Sequence, residues 1–253
     1  LSCIRVETGR LLRTKITWLV AVLTILSPYV VSQVYKSASE ITRAGMSLAN
    51  FSLAGAFSGT ILFAFLTLVE LDRAHRASTD ALTDSILSPL LMSIARLCAV
   101  MLITLGASLL TMACYLPFTM EKLGNVFSLW DFIASYAIFM LLGIWLGCLL
   151  AAALYQITRR VDASFVVFAA WVLFCCSDFA RERFLLRWIN PIVPIFSDDF
   201  SNAQPLLMAA YNRPVYLLGF GGLWVFSVLC VRRFGLGLLP PLLRNLRRAY
   251  APV

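Results

Sequence analysis

Six apolar stretches without a charged side chain divide this chain of 253 residues, and most of them are long enough to cross a lipid bilayer. A hydrocarbon core about 30 Å thick requires about 20 helical residues. Because lipid offers no hydrogen-bond partner to an exposed backbone, such a segment has to be helical. The sequence therefore predicts a single all-α integral membrane domain over residues 1–253. The six predicted transmembrane helices are residues 16–35, 51–69, 97–116, 132–158, 163–177 and 214–231.

The distribution of charge predicts the orientation of these spans. Apolar residues make up 60% of the chain, and the mean hydropathy of +0.85 lies well above the range of soluble proteins. With both termini in the cytoplasm, 14 of the 21 lysines and arginines lie on the inner side and 7 on the outer side, whereas the acidic residues divide 6 and 7. The positive-inside rule favours this orientation. We expect a multi-pass protein of the plasma (inner) membrane, whose basic residues orient it in the lipid bilayer and bind no nucleic acid.

The segments between the spans differ in character. Residues 1–15 mix apolar and basic side chains, which predicts an amphipathic helix in the inner membrane interface. Residues 70–89 form the longest cytoplasmic loop, and residues 232–253 form a cytoplasmic tail. Residues 178–213 form an outer segment in which prolines break apolar runs that are too short to span. Its apolar character predicts short re-entrant helices before the sixth span.

Glycines recur at four-residue spacing in the second and fourth spans. Gly55 and Gly59 lie in the second span, and Gly143 and Gly147 lie in the fourth. This small-xxx-small spacing allows two membrane helices to approach closely. We expect the four glycines to pack helices within one bundle, with a contact between two copies of the chain as the alternative.

No motif points to chemistry carried out by this chain itself. The six spans contain no ionisable residue, and the sequence has neither a metal-ligand spacing nor a phosphate-binding loop. The single histidine, His75, lies in the cytoplasmic loop and is more typical of a solvated residue than of a catalytic base. We therefore expect no catalytic residue, no metal and no cofactor bound by this chain. A membrane-embedded enzyme or scaffold subunit and an ion-driven secondary transporter stay open as alternatives.

The cytoplasmic loop contains the pattern of a short amphipathic helix. Ser78 or Thr79 can cap its start, and Asp80 then lies in the first turn, where a negative charge is favourable. Leu82 and Ile86 follow four residues apart, so that they share one face. The pattern fits a helix that contacts a soluble partner and, equally well, a helix that rests on the bilayer.

The same loop carries a resemblance to a known family. Residues 76–79 read Arg-Ala-Ser-Thr and residues 84–89 read Asp-Ser-Ile-Leu-Ser-Pro, immediately before the third span. This run resembles the one found before the third span of permease subunits of ABC exporters, the type-2 family that includes drug, antibiotic-peptide and polysaccharide exporters. Ser78 stands where the family usually has glycine. In layout the resemblance covers essentially the whole chain, from the N-terminal amphipathic helix to the outer re-entrant helices.

The resemblance implies an ATP-driven exporter in which this chain is not an enzyme. A short coupling helix would contact a cytoplasmic ABC ATPase subunit, which would bind ATP and Mg²⁺. A second permease copy or a sibling permease would complete the translocation pathway. The implied coupling residues are Arg73, Arg76, Ser78, Thr79, Asp80, Leu82, Asp84 and Ile86. The implied candidates for an outer gate are Trp188, Ile192, Ile195 and Phe196.

Overall fold

The computed structural model describes residues 2–34, 42–76, 89–183, 186–189, 191, 195–199 and 201–230, and every regular element within these residues is helical. We number the α-helices in chain order. They are α1 (Ser2–Leu12), α2 (Lys15–Ser32), α3 (Phe51–Arg76), α4 (Pro89–Leu123), α5 (Leu129–Ser135), α6 (Leu142–Thr158), α7 (Val161–Cys175), α8 (Asp178–Arg181) and α9 (Ala203–Leu229). Two π-helical turns, Gly45–Asn50 and Tyr136–Leu141, precede α3 and α6, and a 3₁₀ turn, Gly124–Val126, follows α4.

Within the described residues, four helical segments combine the length and the apolarity needed to cross a membrane. They are Lys15–Ser32, Gly45–Arg73, Leu90–Val126 and Leu129–Thr158. The all-α class is therefore confirmed for the described residues, and the first four predicted spans lie largely within these segments. Helix α7 has 15 residues, or about 22 Å of rise. Helix α9 has 27 residues but is not among the four. The fifth and sixth spans stay predictions.

Helices α3 and α6 form the centre of the bundle and make its most extensive contact. Helix α2 covers α3, α9 covers α6, and α7 lies against both central helices. Helix α4 contacts α2, α6 and α9, and α1 lies along α4. Phe63, Leu66 and Ile144 are completely buried in this core.

Glycine makes the close approach of α3 and α6 possible. A Cβ atom on Gly147 would lie 2.4 Å from Cγ2 of Thr60, and one on Gly59 would lie 2.6 Å from Cδ1 of Ile144. Neither distance is compatible with a larger side chain unless the neighbour moves. Three of the predicted packing glycines, Gly59, Gly143 and Gly147, lie in this interface. The fourth, Gly55, faces Met140 in the π-turn before α6 and Pro28 of α2.

Helix α2 continues through Pro28 although proline cannot donate a backbone hydrogen bond. The partner that Pro28 would normally reach is the carbonyl of Thr24, and the hydroxyl of Ser27 donates to that carbonyl at 3.0 Å. Ser58 of α3 in turn donates to the Ser27 hydroxyl at 2.6 Å. A membrane helix tolerates proline where neighbouring hydroxyls satisfy the freed group, and here the repair also links α2 to α3.

Several helix ends differ from the prediction. Helix α3 continues to Arg76, so the first seven residues of the predicted loop 70–89 are helical, and residues 77–88 lie outside the described part. Helix α4 begins at Pro89, a residue suited to the first turn of a helix. Helix α9 begins at Ala203, and it includes the last part of the predicted outer segment 178–213. In each case the sequence predicts a boundary at charged residues or at a proline, but the helix continues through them.

Candidate functional sites at the two ends of the bundle

Four charged side chains meet where α1, the end of α3 and the start of α4 come together. The guanidinium Nη2 of Arg10 lies 2.8 Å from Oε2 of Glu7 and 2.8 Å from Oε2 of Glu70. Arg96 lies 3.9 Å from the other oxygen of Glu7. We call Glu7, Arg10, Glu70 and Arg96 the inner charge cluster, after the side of the membrane on which the predicted orientation would place it. Between 9% and 31% of each side chain is exposed, so water screens these pairs less than it screens surface pairs.

The inner charge cluster lines a small cavity. The cavity has a volume of about 10 Å³ and is also lined by Thr67 and Ser93, which is roughly the space of one water molecule. Its apolar wall includes Trp224 of α9. The cluster is therefore set into the bundle and does not lie on its surface.

The last two turns of α3 are held by further contacts. Arg73 approaches Glu70 at 3.9 Å, and Arg76 pairs with Asp72 one turn away. The buried hydroxyl of Tyr155 on α6 donates to Asp72 at 3.2 Å. The acidic side chains at this end of α3 thus bind α1 and α6, and this end of the helix is fixed to two neighbouring helices.

Of the predicted coupling residues, only Arg73 and Arg76 lie in the described part of the chain. Arg73 and Arg76 lie on the end of α3 with 53% and 79% of their side chains exposed. The remaining six, Ser78, Thr79, Asp80, Leu82, Asp84 and Ile86, lie outside the described residues. Residues 77–88 connect the end of α3 to the start of α4 at Pro89. Arg96 follows on α4, about two helical turns later. Both ends of this loop are therefore joined to helices that carry the inner charge cluster.

A buried arginine occupies the opposite end of the bundle. Only 1% of Arg213 on α9 is exposed. Its guanidinium donates to three backbone carbonyls, those of Ile138 at 2.9 Å, Trp188 at 2.6 Å and Phe139 at 3.5 Å. A charged donor makes stronger hydrogen bonds than a neutral one, above all where the surroundings are apolar. The described partners of this cation are carbonyl dipoles.

The π-helical turn explains why carbonyls are available there. In a π-helix the hydrogen bond runs from residue i to residue i+5, and a π-turn inside an α-helix disturbs the regular pairing of carbonyls and N–H groups. Ile138 and Phe139 lie within the π-turn Tyr136–Leu141. Arg213 supplies donors to them, so that polar backbone groups buried in the bundle keep hydrogen-bond partners.

Helix α9 holds the backbone around Trp188 with three side chains on one face. Besides the Arg213 hydrogen bond, the Phe220 ring meets the Trp188 indole edge to face, with ring centres 5.3 Å apart and an angle of 84°. The Tyr216 hydroxyl lies against the backbone N–H of Arg187. We call Arg213, Tyr216, Phe220 and Trp188 the outer junction.

A second contact joins the outer segment to the start of the helical segment that leads into α3. The carboxylate of Asp198 accepts hydrogen bonds from the backbone N–H groups of Arg43 at 3.0 Å and Ala44 at 2.8 Å. These N–H groups belong to the first turn of the helical segment that leads into α3, where helices leave donors without partners. Asp198 is thus a cap supplied from a distant part of the chain.

The four candidate gate residues do not share one environment. Trp188 and Phe196 are buried at 0% and 1% exposure, Ile195 is 68% exposed, and Ile192 lies outside the described residues. The sequence pattern does not single out Arg213, because this residue lies in the predicted outer segment 178–213, immediately before the sixth predicted span. The sequence does contain a signal, since Asn-Arg-Pro at 212–214 interrupts an otherwise apolar run.

The described residues contain no group of three or more His, Cys, Asp or Glu side chains suited to a metal ion. His75 lies in the last turn of α3. Comparison of the chain with protein-family models, with curated proteins and with solved structures gave no match.

Proposed function

We propose that this chain is the transmembrane permease subunit of an ATP-driven ABC exporter of the plasma membrane. Both of its termini are cytoplasmic, and the loop 73–88 couples it to separate ATPase subunits that bind ATP and Mg²⁺. The chain forms the translocation pathway together with a second permease copy or a sibling permease. The resemblance of the loop residues to the family run and the uneven distribution of basic residues support this assignment.

The anchoring of the loop is the structural observation that carries the proposal. Residues 77–88 connect the end of α3 to the start of α4. Glu70 and Arg96, near these two points, both belong to the inner charge cluster, and Glu7 and Arg10 of α1 bridge them. A force applied to the loop therefore acts on α1, α3 and α4 together. Packed helices transmit such a displacement because their contacts do not deform gradually.

The packing of the central helices supports a pathway between two permease chains. The α3–α6 interface is closed by the glycine contacts, with a Cβ at Gly143 meeting Ala56 at 3.3 Å. Thr60 adds a hydrogen bond to the Gly143 carbonyl at 3.2 Å. A passage for a cargo through this interface would require the two central helices to separate. A passage along the lateral surface of the bundle, completed by a second permease, leaves the two central helices in contact.

Replacing Leu82 and Ile86 together by aspartate tests the coupling role of the loop. We expect the double variant to insert normally, to lose co-purification with the ATPase, and to lose transport-stimulated ATP hydrolysis. A buried apolar anchor contributes much of the energy of an interface, and aspartate cannot replace it. The matched control places the same two charges at the other end of the bundle, at Val126 and Leu129, which are 47% and 55% exposed.

The outcomes separate the candidate classes. Unchanged ATPase binding and hydrolysis in a properly inserted double variant would show that the loop is not the coupling element. Transport by the purified chain in vesicles, driven by an ion gradient without any ATPase, would assign it to the secondary transporters. Loss of an activity on substitution of His75 by asparagine would favour an enzyme.

A further inference from the structure

Among the described residues, polar contacts of Arg213 and Asp198 join separate segments at the outer end of the bundle. Arg213 joins three parts of the chain, because it lies on α9 and donates both to the π-turn at Ile138 and to the backbone of Trp188. Asp198 joins the outer segment to the start of the helical segment that leads into α3. The centre of the bundle, by contrast, is closed by close van der Waals contact between α3 and α6.

We propose that Arg213 is a releasable clasp that keeps the outer end of the bundle closed. Release breaks the hydrogen bond from Arg213 to the Trp188 carbonyl and withdraws the Trp188 indole from Phe220, while the contacts to the π-turn stay in place. The inference deepens the proposed function, since an exporter has to open at its outer end, but it concerns a movement that can be measured without transport.

The chemistry of the contact makes it suitable for release. A guanidinium bound to a buried carboxylate is costly to separate, because both partners would keep an uncompensated charge. Arg213 instead binds carbonyl oxygens, and water can replace the single contact to Trp188 once the outer end opens. The two hydrogen bonds to Ile138 and Phe139 keep the cation in position for closure.

Two native cysteines provide reporters for this opening. Cys175 at the end of α7 is 2% exposed, and its thiol lies beside the indole of Trp188 and near Tyr216. Cys148 on the central helix α6 is 0% exposed and lies beside Thr67 of α3. Opening at the outer junction alone exposes Cys175, whereas separation of the central helices also exposes Cys148.

The experiment measures the rate at which a charged maleimide labels each cysteine in lipid nanodiscs. Two parent proteins are used, one retaining only Cys175 and the other only Cys148 among the seven cysteines. In each, Arg213 is replaced by methionine, which keeps much of the length and apolar volume of the side chain. The matched control is Arg183→Met in the same outer segment, since Arg183 lies over the Phe179 ring at 4.1 Å and takes no part in the junction.

We expect Arg213→Met to accelerate labelling of Cys175 by roughly tenfold or more. Of the hydrogen bonds that the substitution removes, only the one to the Trp188 carbonyl distinguishes the closed state from the open state, so its loss sets the expected effect. Labelling of Cys148 should not change, and Arg183→Met should affect neither reporter. Asp198→Asn weakens the second contact without touching Arg213, and it should accelerate Cys175 labelling to a smaller extent.

Two results would overturn the proposal. If Arg213→Met accelerates the labelling of both cysteines equally, Arg213 stabilises the whole fold and does not specifically hold the outer end closed. If it leaves Cys175 unchanged in a protein that retains its thermal stability, the junction does not control opening. Unchanged ATPase coupling in the variant with Leu82→Asp and Ile86→Asp would contradict the proposed function but would leave the labelling result unaffected, so the two proposals fail separately.

Discussion

At the scale of single residues, the centre of the bundle depends on the absence of a side chain. Gly147 leaves space for the Thr60 methyl group, and Thr60 uses its hydroxyl to donate to the Gly143 carbonyl. Thr60 cannot rotate its methyl group away without giving up this hydrogen bond. The glycine spacing was visible in the sequence because a repeat of four marks one face of a helix. The residue that each glycine contacts cannot be read from the sequence, since it lies on another helix.

We predict that Gly147→Ala lowers the free energy of unfolding by about 1–3 kcal/mol, the usual cost of overpacking a core. Gly106→Ala on α4 is the matched control, because a Cβ there meets nothing within 4 Å, and the change removes only the flexibility of glycine. The measurement is the midpoint of thermal unfolding in detergent micelles. Adding Thr60→Ser, which removes the methyl group and keeps the hydroxyl, should restore part of the loss. No rescue by Thr60→Ser would contradict the assigned contact.

Arg213 shows what residue patterns leave out. A single arginine beside a proline has the appearance of a span boundary, and hydropathy alone treats it as one. The structure places it inside the bundle because the π-turn Tyr136–Leu141 offers carbonyls that need donors. A π-turn has no distinct composition, and so neither the acceptor nor the need for a buried cation follows from the sequence.

At the scale of elements, helix ends are decided by contacts between helices. Residues 70–76 were assigned to a loop because they are rich in charge, yet Glu70 and Asp72 are buried at 7% and 9% exposure. Their partners, Arg10 on α1 and Tyr155 on α6, lie far away in sequence. Amphipathic character was enough to predict a helix at residues 1–15. It was not enough to predict that this helix is bound to α3 by an ion pair.

We predict that Glu70→Gln releases α1 from the bundle. Glu70 is the acceptor that joins Arg10 to α3, and its neutralisation leaves a partly buried guanidinium without one of its two carboxylates, which is unfavourable. Hydrogen exchange of the backbone amides in residues 2–12 should become roughly tenfold faster in lipid nanodiscs. Glu121→Gln, at an exposed position on α4, is the matched control. Equal exchange in both variants would show that α1 is held by its apolar face alone.

The inner charge cluster also predicts how the effects of Glu70→Gln and Arg10→Gln combine. Glu70→Gln and Arg10→Gln remove the same ion pair, so their effects on α1 exchange should not add. Residues in direct contact usually show such coupling, in contrast to distant residues. Fully additive effects would mean that Arg10 and Glu70 act through different partners.

At the scale of the whole molecule, α1 and the ends of α3 and α6 lie at the same end of the bundle as the start of α4. There Arg10 contacts Glu7 and Glu70, Arg96 contacts Glu7, and Tyr155 donates a hydrogen bond to Asp72. The 3₁₀ turn Gly124–Val126 lies at the other end of α4. The distribution of basic residues predicts that the end with α1 is cytoplasmic and that the turn is external.

Cysteine labelling tests this orientation in intact cells, on a background without the native cysteines. A cysteine at position 125, in the exposed turn, should react with an impermeant maleimide added outside. A cysteine at position 247, in the predicted cytoplasmic tail, should react only after the cells are permeabilised. The opposite pattern would reverse the topology, and external reaction at both positions would place an even number of spans between them, in place of the predicted three.

The shortness of α7 has a consequence for the surrounding lipid. The predicted span within α4, residues 97–116, has a length of about 30 Å, whereas α7 has 15 residues and a length of about 22 Å. With α7 as a fifth crossing, one molecule presents two hydrophobic thicknesses to the bilayer. Acyl chains beside α7 have to shorten or tilt, and thinning of this kind has an energetic cost for each ångström. Short-chain lipids should therefore collect along α7, and a bilayer thickened by sterol should oppose the fold on that side only.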